Sequence, residues 1–300
     1  MNALRTAVRG ALRYHEPMAP HTSWRVGGPA EIFFEPADAD DLAVFLAGLP
    51  VDVPLFWMGL GSNLLVRDGG IDGVVIATSR GLGALQRLAS GAVRAEAGAP
   101  CAKLARLCER EGLAGGAFFA GIPGTVGGAL AMNAGAFGGE TWAQVTRVEV
   151  MNRAGARFWR DAAAYEVGYR HVAAPIPGEW FIAAEWRFEP ADEAASTGPS
   201  RVRELLARRA ATQPLGLPSC GSVFRNPPGD HAARLIEAAG LKGVRRGDAE
   251  VSTKHANFII NRGQARAADI EALIERIQSE VWGRFGVELV PEVRIVGRPA

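Results

Sequence analysis

The sequence predicts an α+β fold in which helices and sheets pack in more than one layer. The first observation behind this prediction is the helical spacing of apolar residues in segments such as Asp38–Leu49. The second is a set of short runs rich in β-branched or aromatic residues, which is typical of strands. The third is a polar, proline-bearing stretch at Glu189–Ser200, which predicts a boundary because the pattern changes after it.

Two helices and several strands are predicted before that boundary. The helices span Asp38–Leu49 and Cys101–Glu111, and Gly112 is a typical residue to follow the second. The strands span Pro54–Met58, Leu64–Val66, Gly73–Ala77, Val93–Ala97, Val145–Met151, Arg157–Trp159 and Phe181–Phe188. At the amino terminus, the spacing of Arg5, Arg9 and Arg13 predicts one face of a short helix.

Beyond the boundary the pattern is mainly helical. The last predicted helix has Asp269 as its N-cap and Gly286 as its stop, with an apolar stripe between them. The predicted helices are Arg201–Ala211, His231–Ala239 and Asp269–Phe285, and the predicted strands are Asn257–Asn261, Val287–Val290 and Val293–Val296.

Composition bounds the class of protein. A chain of 300 residues suits two domains, and 48% hydrophobic residues suffice for a sizeable core. The formal net charge is +1 and the charges are mixed, which argues against a nucleic-acid partner. The amino terminus lacks the apolar core of a secretory signal, and 3 cysteines do not make a disulfide framework. We therefore expect a cytoplasmic protein.

The run from Gly112 to Gly139 contains no charged residue and is long enough to cross a membrane. Its many glycines and Pro123 argue against a helix, because each interior glycine costs about 1 kcal/mol relative to alanine. We interpret it as a buried, irregular loop system whose backbone approaches a large polar ligand. A glycine-rich crossover without a ligand is the alternative.

A second glycine loop, Gly59–Asn63, connects two apolar runs. It lacks the third glycine of the dinucleotide fingerprint, but glycine backbone, the Ser62 hydroxyl and the Asn63 amide can form an anion nest. A plain tight turn is the alternative. Together with Gly121–Gly128, the loop predicts binding of a diphosphate, and so of a dinucleotide-type cofactor outside a Rossmann fold.

Three single residues stand out less clearly. Arg170 follows an aromatic residue, Ser222 lies in a glycine-containing turn, and Glu292 would share a strand face with Arg294. Taken singly, Arg170 is most simply interpreted as a solvated surface residue and Ser222 as a local hydrogen-bonding residue. Glu292 and Arg294 are most simply interpreted as a surface ion pair. No His and Cys residues have metal-ligand spacing, so no catalytic metal is expected.

Taken together, the chain resembles the UDP-N-acetylenolpyruvoylglucosamine reductase (MurB) family of flavoenzymes. The resemblance runs in family order and is carried by His21–Pro36, Met58–Val66, Ala120–Glu140, Gly168–Val172, Gln213–Pro227, Val251–Asn261 and Pro291–Gly297. It implies reduction of UDP-N-acetylglucosamine enolpyruvate to UDP-N-acetylmuramate in peptidoglycan biosynthesis. NADPH would pass hydride to non-covalent FAD, and reduced FAD would pass it to C3 of the enolpyruvyl group.

The resemblance also implies the organisation of the chain. An N-terminal helix or extension (1–20) would precede a two-lobed, non-Rossmann FAD-binding module of the PCMH/VAO type (21–190, with lobes near 21–80 and 81–190). A linker (191–200) would lead to a smaller α+β substrate-binding domain (201–300). The cofactor would be held by Gly59, Gly61, Ser62, Asn63, Gly121, Ile122, Pro123, Gly124, Thr125, Gly127, Gly128, Asn133, Ala134 and Gly135.

The catalytic residues implied by the resemblance are Arg170, Ser222 and Glu292. Hydride addition to an unsaturated carboxylate builds negative charge, which Arg170 can neutralise through a fork. Glu292 would help if protonated, with a raised pKa, or through a water. Ser222 would protonate C2, and because a hydroxyl is a poor acid, Arg225 is a candidate to assist it; many relatives carry lysine at that position.

The substrate would be bound by Tyr169, Arg225, Asn226 and Lys242. The chain lacks a long tyrosine-bearing insertion between Glu185 and Arg203, so it resembles the shorter subgroup of the family. We expect a monomer with no membrane or nucleic-acid partner. Two alternatives stay open: a sugar or hydroxyacid oxidase on the same cofactor module, and a non-catalytic nucleotide-binding regulator.

Overall fold

The structure, a computed structural model, describes residues 7–191 and 200–300. Its helices are α1 (Ala39–Ala47), α2 (Cys101–Arg110), α3 (Val126–Met132), α4 (Arg201–Thr212), α5 (Ala232–Ala238) and α6 (Ala267–Phe285). Short 3₁₀ helices span Ala19–His21, Ala117–Gly121, Thr141–Gln144 and Ala162–Ala164. None of the helices in the described ranges is long and apolar enough to cross a membrane.

The strands form several small sheets. They are β1 (Ala11–Pro17), β2 (Pro29–Glu35), β3 (Leu55–Met58), β4 (Leu64–Val66), β5 (Ile71–Ala77), β6 (Leu85–Arg87), β7 (Val93–Glu96), β8 (Gly135–Ala136), β9 (Gly139–Glu140), β10 (Val145–Asn152), β11 (Arg157–Asp161), β12 (Glu166–Gly168), β13 (His171–Ala173), β14 (Glu179–Trp186), β15 (Arg245–Arg246), β16 (Ala249–Val251), β17 (Ile259–Asn261) and β18 (Arg294–Val296). The sheet orders are β1-β2-β5-β3, β11-β10-β14-β7-β6, β12-β13, β8-β9, β15-β16-β17 and β18-β4. This mixture of helices and mainly antiparallel sheets confirms the predicted α+β class.

The chain forms two compact units, and neither is continuous in sequence. The first unit comprises Met1–Arg13, Phe33–Gly59 and Val74–Arg209. The second unit comprises Tyr14–Ile32, Leu60–Gly73 and Ala210–Ala300. The predicted domain boundaries remain predictions, and most of the predicted linker lies outside the described residues.

The first unit has its core beneath the five-stranded antiparallel sheet. Helices α2 and α3 contribute apolar side chains to it, and Trp186 of β14 is fully buried. The Trp186 indole N–H donates to the Thr141 carbonyl oxygen at 3.0 Å, so its polar atom is satisfied inside the core. Phe119 packs edge-on against the Trp186 ring, with the ring centroids 5.9 Å apart.

The second unit has a separate core, to which an early residue contributes. Trp24 is fully buried and belongs to the core that also contains apolar side chains of α5 and α6. Its indole N–H donates to the Ile259 carbonyl oxygen at 2.7 Å, and Asn261 Nδ2 donates to the Trp24 carbonyl oxygen at 2.9 Å. Residues 14–32 are therefore built into a unit whose largest part lies beyond residue 210.

The predicted helical face does not extend to Arg13, although Ala7, the first described residue, is helical. Arg13 lies on strand β1, pairs with Glu35 of β2, and places its guanidinium 5.1 Å from the centre of the Phe33 ring. These contacts with a neighbouring strand decide the local conformation against the helical spacing. Arg5 lies outside the described residues. Strands β1 and β2 were not predicted.

Two predictions near the carboxyl terminus are also corrected. Helix α6 begins before Asp269, because the Asp68 carboxylate accepts from the N–H groups of Ala267 and Ala268 at 2.9 and 3.0 Å. Residues 287–290 do not form a strand. Leu289 there is fully buried, and its carbonyl oxygen accepts from the Gln278 side chain at 2.9 Å.

Candidate active site

The glycine-rich segment folds into a 3₁₀ helix, helix α3 and the hairpin of β8 and β9. The predicted irregular loop is therefore wrong at Val126–Met132, where tertiary packing outweighs the low helix propensity of glycine. Val126 and Leu130, four residues apart, are both fully buried in the core. A Cβ on Gly127 would lie 2.9 Å from the Ala97 Cβ, so this close approach needs glycine.

Gly59 and Thr125 meet at the end of β3 and the beginning of α3. A Cβ on Gly59 would lie only 2.1 Å from Thr125 Oγ1. Thr125 is 2% exposed, and within the described residues its Oγ1 has no hydrogen-bond partner. A buried hydroxyl without a partner carries a desolvation cost, so a ligand atom reaching this point would be stabilised. This arrangement fits the predicted cofactor loops.

The turn ahead of Thr125 consists of Gly121, Ile122, Pro123 and Gly124. A Cβ on Gly121 would lie 2.5 Å from the Ala136 Cβ, so the turn packs closely on the β8 hairpin. The Gly124 carbonyl oxygen accepts from the Cys101 N–H at 3.0 Å.

Gly127 and Gly128 lie in the first turn of α3 and differ in what they can offer a ligand. The Gly127 N–H donates to the Ala97 carbonyl oxygen at 2.7 Å, so the fold itself uses this donor. Gly128 is exposed, and a Cβ there would lie 3.9 Å from Thr125 Oγ1. Gly128 is therefore the better placed of the two for contact with a ligand.

Asn133 ends helix α3 in the left-handed region, at φ 43°. Asn133 is 1% exposed. Its Nδ2 donates to Glu140 Oε2 at 3.0 Å and to the Gly168 carbonyl oxygen at 3.1 Å. Its Oδ1 accepts from the Trp142 N–H at 3.2 Å. The Asn133 amide is thus engaged by the protein. The Ala134 N–H donates to the Ala129 carbonyl oxygen at 2.9 Å, and the Ala134 carbonyl oxygen accepts from the Thr141 N–H at 3.0 Å. The predicted contact of Asn133, Ala134 and Gly135 with the cofactor stays a prediction.

Arg170 occupies a two-residue turn between β12 and β13, after Tyr169. Its φ of 54° lies in the left-handed region, which non-glycine residues adopt at a cost of about 1–3 kcal/mol. Nη1 donates to the Asn133 carbonyl oxygen and Nη2 to that of Gly135, both at 3.3 Å. The guanidinium also lies 5.3 Å from the Tyr169 ring centre, and Tyr169 is 53% exposed. Arg170 is therefore held in place rather than simply solvated.

The Gly59–Asn63 loop continues into the second unit at Leu60. Gly61 has a φ of 62°, and a Cβ there would lie 2.1 Å from the His21 carbonyl oxygen. Asn63 Nδ2 donates to the Glu292 carbonyl oxygen at 3.1 Å, and Ser62 is half-buried beside it in sequence. The loop is thereby tied to the segment that carries Glu292.

Ser222 and Glu292 lie on adjacent segments of the second unit. The Glu292 N–H donates to the Val223 carbonyl oxygen at 2.7 Å, and Phe224 pairs with Pro291 as an antiparallel bridge. The predicted turn at Gly221 is confirmed by its φ of 74°. Both Ser222 and Glu292 are half-buried.

Glu292 is not part of a strand, and this corrects the predicted sharing of a strand face with Arg294. Strand β18 begins at Arg294, whose N–H donates to the Asn63 carbonyl oxygen at 3.0 Å. Pro291 has no N–H to donate, so regular pairing starts only after it.

The predicted substrate-binding residues of the second unit have different surroundings. Arg225 Nε is buried and lacks a hydrogen-bond partner in the part of the chain that the structure describes. Asn226 Oδ1 accepts from the Ala232 N–H at 3.1 Å, at the start of α5. Lys242 Nζ lies 2.9 Å from Glu237 Oε1. Among these three residues, Arg225 has a buried donor, Nε, for which the described residues provide no acceptor.

The cysteines are buried thiols. Burial raises the pKa of Cys101, Cys108 and Cys220 to about 12. Cys220 Sγ donates to the Leu64 carbonyl oxygen at 3.4 Å. Since a protonated thiol is a poor nucleophile, none of the three is suited to tether a flavin covalently.

Sequence reasoning missed two residues that organise these segments, Glu140 and Asn257. Glu140 accepts from Asn133, and Asn257 hydrogen-bonds the backbone beside Ser222. The one local signal for Asn257 was an amide within the otherwise apolar run that follows Ala256.

Comparisons with known proteins cover both regions of the chain. A family model described as "FAD binding domain" matches residues 30–159. A second, "UDP-N-acetylenolpyruvoylglucosamine reductase, C-terminal domain", matches residues 213–296.

Relatives match over nearly the whole chain. UDP-N-acetylenolpyruvoylglucosamine reductase of Alkalilimnicola ehrlichii is 62% identical over 99% of this chain and 98% of its own length. The reductase of Methylococcus capsulatus is 59% identical over 99% of this chain and 97% of its own length. The crystal structure of the Thermus caldophilus reductase has a TM-score of 0.80 at 32% identity, covering 96% of this chain and 98% of its own. The chain therefore belongs to the UDP-N-acetylenolpyruvoylglucosamine reductase family, with an FAD-binding module and the C-terminal domain of that family.

Proposed function

We propose that this chain reduces the enolpyruvyl double bond of UDP-N-acetylglucosamine enolpyruvate, giving UDP-N-acetylmuramate for peptidoglycan synthesis, with NADPH as electron donor. The observation that carries the proposal is the hydrogen bond from the Glu292 N–H to the Val223 carbonyl oxygen at 2.7 Å. It holds the segments of Ser222 and Glu292 side by side. An oxidase or a nucleotide-binding regulator with the same cofactor module would not require Ser222 and Glu292 to lie on neighbouring segments.

FAD would be held by the Gly59 and Gly121–Gly128 region and by the loop at Gly61, Ser62 and Asn63. The Thr125 hydroxyl, which has no hydrogen-bond partner within the described residues, and the close approach of Gly59 to it are the features that favour this placement. When bound, FAD would supply the chemistry of hydride transfer between NADPH and C3 of the enolpyruvyl group.

Arg170 would neutralise the negative charge that spreads onto the substrate carboxylate as C3 accepts hydride. Its two terminal nitrogens donate to backbone oxygens at 3.3 Å, which is longer than the usual 2.9–3.0 Å or so. A carboxylate offers the same fork two charged acceptors, and such charge-assisted bonds are roughly twice as strong. Arg170 would therefore exchange these acceptors for the substrate.

Ser222 would donate the proton that completes the reduction at C2. A serine hydroxyl needs assistance to act as an acid, and the Arg225 guanidinium, three residues along the chain, is the candidate to supply a positive charge. The unpartnered Nε of Arg225 is consistent with a negatively charged ligand at this place. Glu292 would contribute as a protonated carboxyl group or through a water, and Asn226, Lys242 and Tyr169 would contact the nucleotide-sugar portion.

Replacement of the proton donor tests the proposal. In Ser222→Ala, reduction of the flavin by NADPH should keep its wild-type rate, because no proton from Ser222 is needed there. Reoxidation of the reduced flavin by the enolpyruvyl substrate should slow by about 100-fold or more, since general acid catalysis contributes roughly 10²–10⁴-fold. Anaerobic stopped-flow absorbance of the flavin measures both half-reactions.

Ser219→Ala is the matched control, because it removes a half-buried hydroxyl from the same turn. It should leave both half-reactions near the wild-type rate. Equal slowing of both half-reactions in Ser222→Ala would show that Ser222 is not the proton donor.

The cellular setting follows from the same proposal. Consumption of NADPH and the protonated state of the three buried thiols suit a cytoplasmic enzyme. We further infer that it acts as a monomer without membrane or nucleic-acid partners, which light scattering during size-exclusion chromatography tests directly.

A further inference from the structure

We propose that Asn257 is a positioning residue that fixes the Ser222 segment for proton delivery. This inference rests on the proposed function of Ser222 and adds a residue to it. Asn257 lies in the second unit, just before strand β17, and is 3% exposed. Its hydrogen bonds hold the backbone of the residues that directly follow Ser222.

The side-chain amide of Asn257 pairs with the backbone of Phe224 in both directions. Phe224 N–H donates to Asn257 Oδ1 at 2.9 Å, and Asn257 Nδ2 donates to the Phe224 carbonyl oxygen at 2.8 Å. In addition, the Val223 N–H donates to the Asn257 backbone carbonyl oxygen at 2.9 Å. A single residue therefore makes three hydrogen bonds to the two residues after Ser222.

The opposite edge of the same backbone faces the Glu292 segment. The Val223 carbonyl oxygen accepts from the Glu292 N–H at 2.7 Å, and the Arg225 N–H donates to the Val290 carbonyl oxygen at 2.9 Å. Residues 223–225 thus lie between Asn257 on one side and residues 290–292 on the other. Because these bonds fix the buried residues Val223 and Phe224 and the half-buried Arg225 from both edges, displacement of Asn257 would shift Ser222 relative to Glu292.

The chemistry of asparagine is needed at this position. Pairing with an N–H and a carbonyl group of one residue requires a planar group with one acceptor and one donor. Aspartate keeps the acceptor but loses the donor, and it would place a carboxylate oxygen against the Phe224 carbonyl oxygen. Mispositioning of a catalytic group by about 1 Å can cost roughly 100-fold in rate.

The test compares the same substitution at two buried asparagines of one unit. Asn257→Asp should slow flavin reoxidation by the enolpyruvyl substrate by about 100-fold, while flavin reduction by NADPH remains near wild type. Asn261→Asp is the control. Asn261 is 5% exposed, and its Nδ2 also donates to a backbone carbonyl oxygen, that of Trp24. It should lower the melting temperature without selectively slowing reoxidation.

The double variant Ser222→Ala/Asn257→Asp separates positioning from general destabilisation. If Asn257 acts through Ser222, the double variant should reoxidise no more slowly than Ser222→Ala alone. Multiplication of the two effects, or equal slowing of both half-reactions by Asn257→Asp, would overturn the proposal. Normal reoxidation in Ser222→Ala would instead overturn the function proposed for Ser222.

A second variant covers the case in which the aspartate prevents folding. Asn257→Ser removes the paired hydrogen bonds without burying a charge. It should show the same selective loss in reoxidation, with the non-additivity against Ser222→Ala retained. Wild-type reoxidation in folded Asn257→Ser would also overturn the proposal.

Discussion

Arg170 in the first unit and Ser222 in the second are held in different ways. Arg170 lies on a strained turn, and its side chain contacts two carbonyl oxygens at 3.3 Å. Ser222 precedes a backbone segment fixed by hydrogen bonds of 2.7 to 2.9 Å on both edges. The difference indicates that the side chain of Arg170 is kept ready to change acceptors, whereas the segment of Ser222 is fixed before substrate arrives.

The largest effect is expected at Arg170, whose replacement tests directly whether its side chain changes acceptors when substrate binds. Arg170→Met should slow flavin reoxidation by the enolpyruvyl substrate roughly 10²–10³-fold, because loss of one such donor typically has this effect. Arg170→Lys keeps the charge but loses the fork, so an intermediate rate is expected. Anaerobic stopped-flow measures both, and a wild-type rate in Arg170→Met would remove Arg170 from the mechanism.

A smaller effect is expected from a substitution at Asn133, whose backbone carbonyl oxygen accepts from Arg170. Asn133→Asp loses the donor to the Gly168 carbonyl oxygen and sets a carboxylate against Glu140, which should lower the free energy of unfolding by about 1–3 kcal/mol. Urea denaturation measures this loss.

Asn152→Asp is the control, because Asn152 uses only an acceptor, Oδ1, in its two observed bonds to backbone N–H groups. Its stability should be near wild type. An equal loss in both variants would show that the pairing of Asn133 with Glu140 contributes nothing specific.

The smallest effect is expected in the pH dependence of stability, through His255, which accepts a hydrogen bond from the Asn257 N–H. Burial lowers the pKa of His255, nearby Lys242 lowers it further, and Glu237 opposes both. His255 Nδ1 accepts from the Asn257 N–H at 3.3 Å, which requires that nitrogen to be unprotonated. The unfolded chain binds this proton at a higher pH than the folded one, so stability should fall as the pH drops below about 6.5.

Melting temperatures at pH 7.5 and 5.5 measure this dependence. His255→Gln should reduce the difference between the two values, whereas His231→Gln, at an exposed position, should leave it unchanged. The same difference in all three proteins would exclude His255 as its source.

Much of the fold was predictable because local pattern and burial agree. Helix α2 buries Cys101, Leu104 and Cys108 on one face, and that spacing is visible in the sequence. Strand β1 was missed because it has no fully buried face to produce an alternating pattern. Helix α3 was missed because packing against Ala97, not glycine propensity, decides its conformation.

In the candidate site, too, some features could be predicted from the sequence and others could not. The glycine loops and the turn at Gly221 can be predicted from residues that permit unusual backbone angles. The left-handed conformation of Arg170 cannot, because its neighbours in sequence do not demand it. The pairing of Asn257 with Phe224 joins residues 33 positions apart, so the sequence shows the amide within an apolar run but not its partner.

The contact of Trp24 with Ile259 has a consequence for synthesis on the ribosome. The two residues are 235 positions apart, and at about 5–20 residues per second the ribosome needs roughly 10 to 50 s to pass from one to the other. During that interval the large indole ring lacks its burial site in the nascent chain. Chaperone binding to the early segment would shield it until the last third of the chain emerges.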